Sequence, residues 1–157
     1  MSNFHFLKQY VILPGTEISS DDKHVFYPTG TDEIKSIENE WGKKFPRELK
    51  QFYNEIGYGF VCKSIESRFN RIMGPGSVLD FINGEDIYMD DIRLDDYTDE
   101  NELVFYEVSE LSCLVMNLDE EDTDGCCPIY YEGDLIAHSL EDFSRKMNRN
   151  PNYYLKK

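Results

Sequence analysis

"IKSIENEWGKKFPRELKQFYNEIGYGF", residues 34–60, decides how this chain folds. Ile34, Ile37 and Trp41 recur on one face of a helix that opens at "TDE", where Thr31 can cap and Asp32 and Glu33 suit the first turn. Gly42 is placed to end that helix in a left-handed turn. Pro46 then starts a second helix, in which Leu49, Phe52, Tyr53 and Ile56 follow the spacing of a buried face, and Gly57 closes it. So short a link predicts that the two helices pack as a pair.

Outward from this pair the pattern changes. Residues 1–30 mix the apolar run "YVIL" with a polar loop, "GTEISSDDKH", which predicts a strand or short helix. Downstream, Phe60 to Ile65 reads as a strand, and "SVLDFIN" (Ser77 to Asn83) as a short helix with Ser77 as its cap and Asp80 three residues on. Four strands follow, at 103–108, 112–118, 128–131 and 135–138, with Gly133 and Asp134 turning the last two into a hairpin. "SLEDFSRKM" is a closing helix, with Ser139 and Asp142 as a capping pair and Leu140, Phe143 and Met147 facing inward. Sequential strands with short connections give an α+β class. The expectation is a single domain over residues 1–157, with a mainly antiparallel sheet, packed helices on the N-terminal side and a C-terminal helix.

Glu38, Trp41, Gly42, Phe45, Pro46, Phe52 and Gly57 also resemble the opening signature of the SUKH superfamily, which includes fungal cell-wall assembly regulators and killer-toxin-resistance proteins. "PIYYEGDLIAHSLEDFSRKM" is similar to that family's closing hairpin and helix, so the likeness covers residues 31–147 by pattern. One position departs: the Asn-Gly common after the second helix is Ile56-Gly57. The resemblance implies function without catalysis. Bacterial members are commonly immunity proteins (antitoxins) that bind and neutralise a cognate toxin, often a nuclease. The fungal members imply an alternative, an intracellular regulatory scaffold that binds a host protein. Trp41, Phe45, Pro46 and Phe52 are expected to hold the two helices together in either case.

Composition narrows the partner. A formal charge of −15 over 157 residues repels nucleic acid and anionic membranes and favours a basic partner. The 14% aromatic content argues for a folded core despite that charge. No signal-like start and no long apolar run is present, so a soluble, cytoplasmic protein is expected. Cys62, Cys113, Cys126 and Cys127 have no zinc spacing and read as reduced thiols, the adjacent pair pointing to opposite faces of a strand.

Catalysis and cofactors find little purchase. His5, His24 and His138 show no partner spacing for a nucleophile, and "GYG" and "GPG" lack a phosphate-loop context. "EEDTDG" suggests calcium, the weakest of the alternatives. Counted from Glu120, oxygens fall at Asp122 and Asp124, but the twelfth position is Tyr131 instead of a bidentate Glu, and the flanks read as strands. No metal, no cofactor and no enzymatic activity is therefore expected.

The stretch "EDIYMDDIRLDDYTDENE", residues 85–102, sets nine acids against one base, Arg93, with large apolar groups among them. A disordered acidic tail would lack Ile87, Tyr88, Ile92, Leu94 and Tyr97, which leaves two readings, a solvated loop or a folded partner-binding surface. A second acidic cluster lies on a later loop. The expected partner-binding residues are Asp86, Tyr88, Asp90, Asp91, Asp95, Asp96 and Tyr97, together with Asp119, Glu120, Glu121 and Asp122. Such a surface can occupy the basic, phosphate-seeking face of a nuclease toxin much as nucleic acid would.

Overall fold

A computed structural model describes residues 2–15 and 22–155, so residues 16–21 of the expected polar loop lie outside the described residues. Helices α1 (Thr31–Trp41) and α2 (Arg47–Glu55) form over the two periodic runs, and Gly42 ends α1 in the left-handed conformation, its N–H bonded to the Glu38 carbonyl. Thr31 is not the cap: Gly30 takes that place, and the Thr31 hydroxyl donates to Asn54 Oδ1 at 3.2 Å. Glu38, which no periodicity singled out as apolar, is buried and its carboxylate accepts the Phe45 N–H at 2.7 Å. That bond ties the end of α1 to the residue before Pro46 and fixes where α2 begins. The two helices meet as expected, through the Thr31–Asn54 bond and a Lys50–Glu38 ion pair at 3.4 Å, and α1 also packs against α3 (Pro75–Asn83).

Among the described residues seven strands join one antiparallel sheet in sequential order: β1 (Val25–Tyr27), β2 (Tyr58–Phe60), β3 (Arg71–Ile72), β4 (Glu102–Glu107), β5 (Cys113–Asn117), β6 (Ile129–Tyr131) and β7 (Asp134–Ala137). Residues 1–30 hold both a 3-10 helix, His5–Tyr10, and strand β1. The strand expected at Phe60 to Ile65 is instead Tyr58–Phe60, because Gly57 brings the chain against β1: a Cβ there would sit 1.9 Å from the Tyr27 carbonyl oxygen. Strand β3 carries only two residues, too few for a period to show.

Three smaller expectations also change. Gly74 caps α3 with Pro75 at its first position, so Ser77 lies inside the helix. Glu132 (φ 50°) and Gly133 (φ 86°) form the last hairpin turn, and Asp134 already pairs with Tyr131 in β7. Cys126 and Cys127 lie in the connection between β5 and β6, outside any strand. By contrast α4 (Leu140–Arg149) starts as its sequence implies. Ser139 accepts the Asp142 N–H at 3.0 Å and Asp142 accepts the His138 N–H at 3.0 Å.

The core is aromatic where helix meets sheet. Phe26, Phe52, Phe4, Phe105, Tyr106 and Phe143 are all fully buried, and Phe143 of α4 packs edge-on against Tyr106 at 5.1 Å. A register shift between Val104 and Tyr106 gives β4 an extra residue, so that Phe105 and Tyr106 both reach Phe143. Glu48 closes the assembly from α2. Its buried carboxylate accepts the N–H groups of Leu140 (2.7 Å) and Glu141 (3.0 Å), a fixed negative charge at the N-terminus of α4.

Candidate functional site

The acidic stretch leaves α3 and runs as two 3-10 turns, Asp86–Tyr88 and Ile92–Asp96. Asp86 (φ 55°) and Asp90 (φ 60°) bracket the first turn in the left-handed region, which Asp tolerates better than most residues. Asp91 opens the second by accepting the Arg93 N–H at 2.9 Å. Turns this tight send successive side chains in quite different directions. Tyr88 goes in and is 1% exposed, whereas Ile87, Met89 and Ile92 stay out at 72%, 67% and 73%.

Arg93 explains how so acidic a segment stays folded. Its guanidinium is buried beside Phe81 and Tyr88, donating to both oxygens of Asp91 (3.0 and 2.8 Å) and to Glu107 Oε1 (3.0 Å) and the Ser109 carbonyl (3.0 Å). Arg71 completes the network from β3. It donates to Glu107 Oε2 at 2.8 Å, to the Tyr88 hydroxyl at 3.1 Å and to Ser77 Oγ at 2.9 Å. Two arginines thus meet two carboxylates, with most donors satisfied, the condition under which a buried charge set holds. Tyr97 adds a further anchor by accepting the Cys113 N–H at 2.9 Å.

The titration behaviour follows from these contacts. Hydrogen bonding from Arg93 lowers the Asp91 pKa against the opposing effect of partial burial. Burial pushes the Tyr88 phenol up to about 12. It likewise raises the Cys113 and Cys127 thiols to about 12 and Cys126 to about 11, which leaves them protonated and weakly nucleophilic near neutral pH.

Of the expected site residues, Asp86, Asp90, Asp95, Asp96, Asp119, Glu120, Glu121 and Asp122 are exposed. Tyr88 is a correction: it supports the surface from beneath and has no face left for a partner. Asp91 and Tyr97 are half-buried and spend their polar atoms on the anchoring contacts. The two acidic regions do meet, but on the side of the first stretch through residues outside that set. Glu102 pairs with Asn117 across β4 and β5, and the Leu118 N–H bonds the Asn101 carbonyl at 2.7 Å, which sets Asp99, Glu100 and Glu102 beside Asp119 and Glu120.

Ile87, Met89, Ile92 and Leu111 complete the exposed surface, the last at the β4–β5 turn that Arg93 grips through Ser109. In the second loop Asp122 Oδ1 accepts the N–H groups of Asp124 and Cys126, both at 2.9 Å, and strands β5 and β6 flank it. Among the described residues no group of three or more His, Cys, Asp or Glu side chains is placed to hold a metal ion. No helix among them is long and apolar enough to cross a membrane.

A seven-stranded antiparallel sheet flanked by helices, with an acidic and apolar segment pinned to it by the buried Arg93 and the half-buried Arg71, defines a small α+β protein. The chain belongs to the SMI1 / KNR4 family (SUKH-1), whose model matches residues 28–146. It is 40% identical over 141 residues to the Immunity protein YxxD of Bacillus subtilis (strain 168), covering 88% of this chain and 92% of that relative. No solved structure matches it.

Proposed function

We propose that this chain is a cytoplasmic immunity protein that binds a cognate toxin in a stoichiometric complex and neutralises it by occupying its working surface. The observation that carries this reading is the 40% identity to an immunity protein along nearly the whole of both chains. The surface supports it. Interfaces favour exposed apolar anchors with a polar rim, and here Ile87, Met89, Ile92 and Leu111 stand among Asp86, Asp90, Asp95 and Asp96. Such a surface complements a basic toxin domain, of which a nuclease is the chemical class with most need of exposed Lys and Arg.

Co-expression with candidate toxin domains, taken from any toxin-like gene found beside this chain's own, tests the reading. Cells should survive induction of the toxin only when this chain is present, and the two proteins should co-purify at equal stoichiometry. Death of the cells with the folded chain present, or survival without a complex, would contradict it.

A further inference from the structure

Between the end of α1, the end of α3 and the start of β4 lies a cavity of about 400 Å³. That is near the lower limit of about 300 Å³ for sites that enclose a ligand, and suits a single long side chain better than a large cofactor. Trp41, Leu94 and Leu103 give it apolar walls, and Asp99, Glu100 and Glu102 stand at its rim. All three rim acids are exposed, and none takes part in an ion pair among the described residues. Trp41 is half-buried, and the chain already lays a cation against its ring: Lys43 Nζ is 5.9 Å from the centroid.

We propose that this cavity receives an arginine side chain of the partner protein, an anchor beside the acidic surface. The proposal rests on the reading that this surface binds a basic toxin. An arginine fits both halves of the cavity. Its aliphatic stem covers the apolar walls, and its flat guanidinium stacks on the indole while donating to the rim carboxylates. A neutral apolar side chain would desolvate those carboxylates and give them nothing in return. A lysine ammonium is compact and strongly hydrated, so it loses more on leaving water and stacks less well. Lys43 is then a competitor: a partner cation must displace it from the ring face and bear its repulsion.

Trp41 is the chain's single tryptophan, so its emission reports on this cavity alone. The experiment titrates the full-length protein with a capped tripeptide carrying one arginine between glycines, and with the matching lysine peptide, at fixed ionic strength. A saturable change in Trp41 emission is expected with the arginine peptide, and binding roughly tenfold weaker with the lysine peptide. Glu100→Gln with Glu102→Gln should weaken the arginine peptide roughly tenfold, while Lys43→Gln should tighten it several-fold. Glu66→Gln with Asp134→Asn, exposed acids that do not line the cavity, should leave it unchanged.

Equal response to both peptides, a response that never saturates, or weaker binding in Lys43→Gln would overturn the proposal. The titration uses no toxin, so the two readings fail separately. Protection in cells without saturable arginine binding overturns the cavity assignment alone. Saturable arginine binding by a chain that gives no protection overturns the immunity reading and leaves the cavity standing.

Discussion

Two sets of carboxylates in this molecule have opposite fates. Glu38, Glu48 and Glu107 are almost fully buried, and each meets backbone N–H groups or arginine at hydrogen-bond distance. The acids at 86, 90, 95, 96 and 119–122 are exposed, and no arginine or lysine pairs with them among the described residues. Both sets carry the same charged group. What separates them is whether the fold supplies donors: a carboxylate leaves water only where charge-assisted bonds repay its dehydration. Asp122 and Glu120 accept bonds from their own loop and its flanking strands, but none of these exposed acids has an ion pair among the described residues to offset the self-repulsion that crowding adds.

The sharpest way to break this contrast is at Glu107, which Arg71 and Arg93 share. Glu107→Ala should leave the buried Arg93 and the half-buried Arg71 guanidinium groups short of a partner and cost about 3–5 kcal/mol. Urea denaturation of the purified variant measures it, and a loss under about 1 kcal/mol would place this network with weak surface pairs. Glu48→Gln is the next test, with about 1–3 kcal/mol expected from the weakened bonds to the Leu140 and Glu141 N–H groups. Amide exchange should quicken first in the opening turn of α4.

Asp91 stands on the border of the two sets. Its pKa is held below the ordinary carboxylate value by Arg93, so it stabilises the fold fully above the unfolded value of about 3.9 and loses that contribution as pH falls through its folded value. Asp91→Asn should therefore flatten the decline of stability below about pH 4 relative to the parent chain. An unaltered acid limb in chemical denaturation would mean that the Arg93 contact is not maintained in solution.

How much of this was legible in the sequence depends on the length of each element. Helices α1, α2 and α4 span several turns, so Ile34, Leu49, Phe52 and Phe143 repeat often enough to reveal the buried face. Strand β3, with two residues, offers no period, and in α3 the Ser77–Asp80 spacing mimics a cap inside a helix that Gly74 and Pro75 already begin. Glu38 and Glu48 look like surface acids to any periodicity, because their donors come from Phe45 and, across more than ninety positions of sequence, from Leu140.

The acidic stretch was legible as a surface but not in its detail. A 3-10 turn of three to five residues has no repeating face, so nothing in "DIYMDDIRLDD" says that Tyr88 goes in while Ile87 and Ile92 stay out. The one available signal was Arg93, a single base among nine acids, whose value as an internal anchor appears only once Glu107 is placed beside it.

The central claim is that the exposed acids serve a partner and the buried ones serve the fold. Asp86→Asn, Asp90→Asn, Asp95→Asn and Asp96→Asn combined in one chain should change stability by no more than about 0.5 kcal/mol per site, since Asn also accepts left-handed backbone at positions 86 and 90. Association with the toxin domain against which the chain protects cells, followed by stopped flow from low to high salt, is the direct measurement. The account predicts that the fourfold variant associates at least roughly tenfold more slowly at low salt and that its rate depends far less on salt than the parent's. An unaltered rate with an unaltered salt dependence in a folded variant would contradict it.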